Sequence, residues 1–397
     1  MVVEQIRSYL KRIIGLLVII SMIACRKELP QINAPEDYDS QSYVKVFDAY
    51  WTGMNHNYVF WDIDPTNWDT IYHKYRPLFA QLRMAQNEDA KQAATYFKEI
   101  SSKLVDGHYK IYFSSSTTIS DIVIDPSYQQ LKLRSNYHER IPDSYFSGTL
   151  MKSYLDPGAA YAISGDDEMF IVTGSIEKNI GYFHSDACDM STYYYSEDRK
   201  DRQIKKQIST FLEMIKNPQL KGLILDLRSN YGGNANEVNF ILGRMTEKAY
   251  KYGFIRTKSG LGRRDFGPWI AEGVTPLKDA KALEIPIVIL TDMWSMSCAE
   301  HISAAAKLIP NGKITVIGER TFGATSPLTD FTIYNAGQFY TGFLDQVSIA
   351  SCAFRYIDGQ NYEGIGFSPD IPINVDLIAL AAGRDAQLEK AINIIRQ

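Results

Sequence analysis

Two loops, each following an apolar run, carry the residues whose types and spacing could do chemistry. Residues 223–227 form a nearly continuous apolar run that leads into the pair Gly232 and Gly233. Paired glycines let backbone N–H groups approach a ligand closely, because no Cβ is in the way. A second apolar run, residues 285–290, leads to Ser297 at the expected start of a helix. Acyl transfer needs these two parts, an oxyanion pocket and a nucleophile.

The same loops belong to four sequence blocks that follow one another in the second half of the chain. The blocks read LILDLRSNYGG, SMSCAEHISAAAK, VIGERTFG and EGIGFSPDI. Each block alone is a weak signal, but in this order they resemble the tail-specific (C-terminal processing) serine peptidases of family S41. The N-terminal part adds Asp106-Gly107-His108, which resembles the Asp-Gly-His element of the tricorn-core-like branch. The resemblance covers about half of the chain, from residue 181 to the end.

The resemblance implies that Ser297 is the nucleophile, because the family's catalytic serine precedes two small residues and a glutamate. That glutamate is Glu300 in this chain. Ser295 is the competing candidate, and either serine could instead cap the helix that follows. N–H groups at the start of that helix can stabilise negative charge on the attacked carbonyl.

The oxyanion hole is predicted from backbone N–H groups. The N–H of Cys298 is expected to act together with that of Gly232 or Gly233. Loss of one such donor typically lowers the rate by about 10²–10³. The alternative role for the two glycines is a tight turn without a part in chemistry.

A serine hydroxyl needs a proton acceptor whose pKa lies near the working pH. Many tail-specific peptidases use a lysine directly after the Thr-Phe-Gly turn, but this chain has Ala324 there. A methyl group cannot accept a proton, so a serine–lysine dyad from this position is excluded. The resemblance to the tricorn-like branch implies His108 as the base instead. A single histidine is more often structural, and His301 and His56 are the other candidates.

A third group must fix the tautomer of the imidazole and stabilise its charged form. Glu363 matches the position of the acidic member in the tricorn-like branch, and its alternative role is an exposed loop carboxylate. The resemblance therefore implies a triad of Ser297, His108 and Glu363. Glu300 is expected to pack or pair inside the core.

The order of predicted elements indicates an α/β (α+β) protein. Residues 40–113 are predicted to form a helical N-terminal subdomain that carries the histidine, and residues 114–178 a small β-rich linking subdomain. Residues 179–397 alternate between strands and helices, which implies a sheet covered by helices. The resemblance narrows this to a crotonase-like ββα spiral catalytic core. Many family members carry a PDZ domain, but roughly 60 residues without a Gly-Leu-Gly-Phe-like loop predict no complete one here.

Local patterns add three predictions about single elements. Residues 130–133 are predicted to form a strand, and residues 346–350 with 353–356 a β-hairpin. Asp385 is predicted to open a terminal helix.

The composition bounds the class of protein. The chain has 397 residues, of which 45% are apolar and 22% charged, which fits a globular protein with a sizeable core. A net charge of −4 argues against nucleic-acid binding, which favours a basic surface. No HExxH, P-loop or paired CxxC motif occurs, so neither a metal nor a cofactor is predicted. The spacing of Cys188, Cys298 and Cys352 likewise indicates no metal site. Three thiols cannot all pair within one chain, so no structural disulfide is expected, and a Cys188–Cys352 bridge is the alternative.

Residues 1–25 have the order of a lipoprotein signal peptide. A basic lead is followed by an apolar run over residues 13–23, which is too short to span a bilayer comfortably. A small residue then precedes Cys25, which resembles a bacterial lipobox and implies that Cys25 is lipidated. The alternatives are an uncleaved anchor or a cysteine there by chance. Residues 26–39 are predicted to form a tether, so the protein is expected to be exported and membrane-anchored, on the periplasmic or cell-surface side.

Two classes of function remain open from the sequence. The first is an exported serine peptidase that hydrolyses a polypeptide substrate through its triad and an acyl-enzyme. The second is a catalytically inactive peptide- or ligand-binding lipoprotein with the same fold, which Ala324 supports and the intact triad residues oppose. Acyl-CoA chemistry on this fold is disfavoured, because export removes the chain from CoA.

Overall fold

The computed structural model describes residues 41–166, 168–278, 280–328 and 337–397. The predicted signal peptide, Cys25 and the predicted tether lie outside these residues. Within the described ranges, no helix is long and apolar enough to cross a membrane.

The N-terminal part of the described chain is helical, as predicted. Its three helices are α1 (Tyr43–Asn57), α2 (Trp68–Phe79) and α3 (Asn87–Ser101). The side chain of Asn67 accepts a hydrogen bond from the N–H of Thr70 and so caps the start of α2. Aromatic side chains dominate the core between these helices; they include Tyr43, Phe47, Tyr50, Trp68, Phe79 and Phe97.

A small antiparallel sheet completes this aromatic core. Its strands, in order, are β11 (Gln338–Phe339), β12 (Leu344–Ser348), β1 (Lys110–Phe113) and β2 (Val123–Ile124). Phe343, Leu344 and Val347 pack into the same core as the three helices. The C-terminal part of the chain therefore supports the strand that begins two residues after His108.

A seven-stranded sheet forms the centre of the molecule. Its strands, in order, are β14 (Ile371–Pro372), β10 (Lys313–Gly318), β9 (Pro286–Thr291), β6 (Gly222–Asp226), β5 (Ile180–Ser185), β4 (Phe170–Ile176) and β3 (Ala160–Ile163). The strands from β14 to β5 are parallel, and β4 and β3 add antiparallel pairs. All five residues of β6 are buried, which explains its continuous apolar sequence. β3 and β4 belong to this sheet although they precede residue 179.

Helices cover both faces of the central sheet. The helical elements that follow α3, in chain order, are α4 (Pro126–Leu131), a π-helical segment (Tyr145–Leu150), α5 (Met151–Tyr154), α6 (Met190–Tyr195), a 3₁₀ turn (Arg199–Asp201), α7 (Arg202–Met214), α8 (Glu237–Leu242), α9 (Cys298–Ala306), α10 (Leu377–Ala381) and α11 (Ala386–Ile395). Helices α7, α8 and α9 share a core with Leu223 and Leu225 of β6. Helix α11 and the π-helical segment pack with Ile224 on the opposite face. The described chain thus has the mixed α/β architecture that the sequence predicts.

The predicted β-hairpin near residue 350 is wrong. β12 pairs with β1, whereas β13 (Ala353–Tyr356) pairs with β7 (Tyr250–Arg256), which in turn pairs with β8 (Ile270–Val274). The intervening segment is buried, and the N–H of Ala350 donates to Oδ2 of Asp106 at 2.8 Å. This long-range contact separates two runs that are adjacent in sequence.

The predicted strand at residues 130–133 is also wrong, because most of this segment lies in or just after α4. The side chain of Asp125 accepts a hydrogen bond from the N–H of Tyr128, and Pro126 occupies the first turn. An acidic cap followed by proline favours a helix start, and this local signal prevails over a short apolar pattern. Asp385 caps α11 through the N–H of Leu388, as predicted.

The parallel strands bring several loops to one edge of the central sheet. The carboxyl ends of β5, β6, β9 and β10 lie side by side, and ligands of open α/β sheets bind at such edges. The loops that follow these strands hold Cys188, Gly232, Ser297 and Thr321. The fold therefore assembles the predicted nucleophile and the glycine loop at one place.

Candidate active site

Ser297 lies between β9 and α9 in a conformation that side-chain-bearing residues rarely adopt. Its φ is 51° and its ψ is −118°, a sparsely populated region whose cost the surrounding structure must offset. The residue is partly exposed, whereas the next four residues are buried. A sharp turn from strand to helix presents a serine hydroxyl at the edge of a sheet, as a nucleophile requires.

Ser295, the competing candidate, has a structural role. It is 0% exposed, and its hydroxyl donates to the carbonyl of Leu227 at 2.7 Å. The same hydroxyl accepts the N–H of Asp292 at 3.0 Å. Ser295 therefore ties the loop after β9 to the end of β6, and no solvent reaches it.

Glu300 connects the nucleophile loop to the turn after β10. Its Oε2 accepts the N–H groups of Ser297 at 3.0 Å and Ala324 at 2.8 Å. Its Oε1 accepts the hydroxyl of Thr321 at 2.6 Å and the N–H of Gly323 at 2.9 Å. Burial raises the pKa of Glu300 to about 7, against the lowering effect of these four hydrogen bonds. Glu300 is therefore paired inside the core, as expected, and its carboxylate holds the backbone of Ser297 in place.

Glu300→Gln should lower kcat/KM by about 10²-fold and destabilise the protein by about 1–3 kcal/mol. The amide keeps one acceptor oxygen but turns an NH2 toward two donors, which leaves them unsatisfied in a buried site. Steady-state kinetics and chemical denaturation measure the two effects. Glu213→Gln, an exposed change of the same type in α7, is the matched control and should alter neither. An unchanged kcat/KM in the Glu300 variant would contradict this positioning role.

The glycine loop lies directly against Ser297. A Cβ placed on Gly232 would lie 2.6 Å from the Cβ of Ser297, so only glycine permits this approach. The N–H of Gly232 donates to Oδ1 of Asn230 at 2.8 Å and is therefore already used. The parallel bridge to Cys188 uses the carbonyl of Gly232 and the N–H of residue 234, so the N–H of Gly233 takes no part in it. Of the two predicted glycine donors, the geometry favours Gly233.

Cys298, the other predicted oxyanion donor, is the first residue of α9, where N–H groups have no partner within the helix. Its thiol lies 3.2 Å from the carbonyl oxygen of Asn234, which holds the glycine loop against the helix start. Cys188, Cys298 and Cys352 are buried free thiols.

The loop that carries His108 is held by Asp106. Oδ1 of Asp106 accepts the N–H of His108, and Oδ2 accepts that of Ala350, both at 2.8 Å. The hydroxyl of Ser127 donates to the carbonyl of Gly107 at 3.1 Å. Burial raises the pKa of Asp106 to about 7. These contacts fix the turn from which the imidazole projects.

The imidazole of His108 is neutral at neutral pH. Burial, followed by the charges of Lys110 and His301, lowers its pKa to about 4. Its Nδ1 is buried and has no hydrogen-bond partner among the described residues. A neutral ring with an open nitrogen can accept a proton.

Glu363 lies beside this ring and is buried, at 3% exposure, not exposed in a loop. Its Oε1 accepts the N–H of Gly107 at 2.7 Å, and its Oε2 accepts the hydroxyl of Thr325 at 3.0 Å and the N–H of Ser326 at 2.8 Å. A carboxylate oxygen of Glu363 and a ring nitrogen of His108 lie within 4.8 Å of each other. Burial and the neighbouring Asp106 raise the pKa of Glu363.

The packing around Ala324 leaves no room for a lysine at this position. A Cβ placed on Gly107 would lie 2.6 Å from the Cα of Ala324 and 2.7 Å from its Cβ. The loop of His108 therefore packs tightly against the position where many relatives in the resembled family carry a lysine. Ala324 is 0% exposed, so a longer side chain has no direct path to solvent.

Ala324→Lys should destabilise the protein by at least about 3 kcal/mol and should not increase activity. The added side chain overpacks a filled site and brings a charge next to Gly107, and both effects are unfavourable. Thermal or chemical denaturation measures the loss, with Ala324→Ser as the small matched control. A stable, more active lysine variant would contradict the packing described here.

The two alternative histidines occupy other environments. His301 is in the first turns of α9, where its Nε2 lies 2.5 Å from the carbonyl oxygen of Thr325. That nitrogen must carry the hydrogen, and burial lowers the pKa of the ring to about 4. His56 lies in α1 and lines a separate cavity of about 760 Å³ together with Trp61 and Arg263.

The structure brings Ser297 and the loop of His108 to the same edge of the sheet. Ser297 and Ala324 share the acceptor Oε2 of Glu300, and Ala324 touches Gly107, which precedes the histidine. Among the described residues, no hydrogen bond joins the Ser297 hydroxyl to the His108 ring. Apo sites often have long catalytic contacts that tighten when substrate binds.

No pattern in the sequence singles out Arg134, which supports the site from the segment after α4. Its guanidinium donates to the carbonyls of Arg320 at 3.2 Å, Thr321 at 2.9 Å and Phe322 at 2.7 Å. A single arginine thus holds the turn that Glu300 binds from the other side. Only the tertiary structure shows this role.

Comparisons with known proteins find relatives in the family that the sequence resembles. The model of peptidase family S41 matches residues 179–373. The "Carboxy-terminal-processing protease" of Bartonella bacilliformis is 26% identical over 185 residues, which are 47% of this chain and 38% of that protein. The match thus spans well under half the length of that curated relative.

Solved structures share the fold over most of the chain. A candidate peptidase from Parabacteroides merdae has a TM-score of 0.65 at 22% identity and covers 89% of this chain and 96% of its own. Mature CPAF has a TM-score of 0.58 at 11% identity over the same shares. The matched residues 179–373 include all four sequence blocks, and the two solved structures share the fold. Residues 179–373 of the chain belong to peptidase family S41.

Proposed function

We propose that the protein is a serine peptidase that hydrolyses peptide bonds through Ser297, His108 and Glu363. The observation that carries the proposal is the strained turn of Ser297, locked by Glu300 against the turn that also touches the loop of His108. Family membership supports hydrolysis as the reaction class. A polypeptide is then the substrate.

In the proposed mechanism, the Ser297 hydroxyl attacks the peptide carbonyl while the His108 ring accepts its proton. The N–H groups of Cys298 and Gly233 stabilise the negative oxygen of the tetrahedral intermediate. His108 then gives its proton to the leaving amine, and an acyl-enzyme forms. Water attacks this ester with the same ring as base, which releases the acid and restores the serine. Glu363 holds the ring and stabilises its charged form.

A fluorophosphonate probe tests this proposal on the full chain. The unsubstituted protein should be labelled on one residue, identified by peptide mass spectrometry as Ser297. Ser297→Ala should not be labelled, whereas Ser295→Ala, if it folds, should be. Absence of labelling in a folded unsubstituted protein would favour the inactive binder. Labelling that persists in Ser297→Ala would show that another serine is the nucleophile.

We also propose that Cys25 carries a lipid and anchors the exported protein to a membrane. The support is the sequence order of a basic lead, a short apolar run and a small residue before the cysteine. Mass spectrometry of the mature protein should find Cys25 as the modified first residue, and Cys25→Ser should release the protein from the membrane fraction. An intact unmodified N-terminus in the membrane fraction would contradict the anchor.

A further inference from the structure

One buried carboxyl beside the proposed base has no part in the chemistry of a triad. A carboxylate oxygen of Asp106, a ring nitrogen of His108 and a carboxylate oxygen of Glu363 all lie within 4.8 Å of one another. Asp106 is 0% exposed and Glu363 is 3% exposed. The Nδ1 of His108 is buried as well and lacks a partner among the described residues. A triad needs one carboxylate, and this cluster offers two with an open nitrogen.

We propose that Asp106, His108 and Glu363 bind one divalent transition-metal ion of the zinc type, and that the ion inhibits the enzyme. Imidazole nitrogen and carboxylate oxygen are ligands that Zn²⁺ takes at about 2.0–2.2 Å. Tetrahedral bonds of that length place ligand atoms about 3.4 Å apart, so side-chain movements of about 1 Å close the site. Three protein ligands leave the fourth position to water.

Backbone contacts hold both carboxylates in place around the cluster. Asp106 accepts the N–H groups of His108 and Ala350, and Glu363 accepts those of Gly107 and Ser326. Oε1 of Glu363 and both oxygens of Asp106 accept one hydrogen bond each. Each of these three oxygens therefore retains a lone pair for a metal, because a carboxylate can accept about four bonds. Such outer hydrogen bonds orient ligands and strengthen metal binding.

The ligand set also predicts selectivity. Mg²⁺ prefers six ligands in octahedral geometry and keeps several waters, and Ca²⁺ takes six to eight oxygens. A buried cluster of two carboxylates and one imidazole supplies neither the octahedral site that Mg²⁺ prefers nor the six to eight oxygens that Ca²⁺ takes. Zn²⁺ and Co²⁺ should therefore bind, and Mg²⁺ should not.

Inhibition follows because a metal on the ring occupies the lone pair that would accept the serine proton. The inhibitory part rests on the proposed peptidase function, whereas the binding part does not. Binding can thus be measured on Ser297→Ala, in which no turnover or self-cleavage interferes.

Isothermal titration of the full-length Ser297→Ala protein with ZnCl₂ should show one ion per chain, and MgCl₂ should give no heat of binding. Adding His108→Ala should weaken zinc binding on the order of 100-fold. This change removes a ring whose Nδ1 has no partner, so the fold should persist, and thermal unfolding checks it. Asp106→Asn should weaken binding similarly. His73→Ala, an exposed histidine in α2, is the matched control and should leave binding unchanged.

The outcomes separate the two proposals. No saturable binding, or equal affinity with and without His108, overturns the metal site. Co²⁺ should give the intense visible bands of a tetrahedral ion, and a weak octahedral spectrum would overturn it too. In active protein, zinc should inhibit peptide hydrolysis with a midpoint near the dissociation constant of zinc, and EDTA should restore the activity. Zinc that binds without inhibiting hydrolysis would contradict its proposed coordination by His108. If the protein binds zinc but no fluorophosphonate labels it, the proposed metal site is supported and the proposed peptidase function is wrong.

Discussion

Ser297→Ala should lower kcat on a cleaved peptide by on the order of 10⁶-fold with little change in KM. The hydroxyl is the only group in the proposed mechanism that forms a covalent bond to substrate, and its loss leaves only binding and the oxyanion donors. The measurement is steady-state hydrolysis of a peptide that the unsubstituted protein cleaves.

The variant should also lose at most about 2 kcal/mol of stability, because Ser297 is the N-cap residue of α9 and the loss of a capping hydroxyl costs about 0.5–2 kcal/mol. The backbone N–H of residue 297 still donates to Glu300, so the strained turn is retained. A loss of activity that accompanies unfolding would say nothing about chemistry, so circular dichroism belongs with the kinetics. A folded Ser297→Ala variant with near-normal kcat would end the proposal of a serine nucleophile.

His108→Ala should lower kcat/KM by at least about 10³-fold, since no other described group at the site is placed to accept the proton. Ala324 cannot serve, and His301 already directs Nε2 to the carbonyl of Thr325. Free imidazole added to the variant should restore part of the rate, because removal of the ring leaves a space of matching shape.

His301→Gln is the comparison for this prediction. A glutamine amide can replace the hydrogen bond to the Thr325 carbonyl, so the expected loss is less than about 10-fold. The opposite ranking, with His108→Ala active and His301→Gln inactive, would make His301 the base. Equal large losses in both variants would show that the two rings act together.

The nucleophile loop was predictable because its signals are local. An apolar strand, a small serine-containing turn and a helix follow one another within about 20 residues, and parallel strands bring such loops together. The burial of Ser295, which favours Ser297 as the proposed nucleophile, depends instead on the carbonyl of Leu227 at the end of another strand. Local sequence carries no information about that contact.

The rest of the site depends on contacts between distant segments. From the sequence, Glu300 looks like an ordinary glutamate in the first turn of a helix. In the structure, three of the four groups that donate hydrogen bonds to its carboxylate lie in residues 321–324. The predicted hairpin at residues 346–356 was wrong for the same reason, because β12 and β13 are adjacent in sequence but pair within different sheets. The sequence does not predict the cluster of Asp106, His108 and Glu363, because Glu363 lies more than 250 positions from the other two residues.

The loop of His108 is held by residues that are made much later in synthesis. Asp106 binds the N–H of Ala350 across 244 positions, and the N–H of Gly107 binds Glu363 across 256. A ribosome must therefore synthesise the chain as far as Glu363 before the proposed base can take its place, and contacts of such long range slow folding. Nascent, unfolded or C-terminally clipped chains would have a serine but no partner for it. The proposed activity would thus be absent until the chain has been synthesised through Glu363 and has folded.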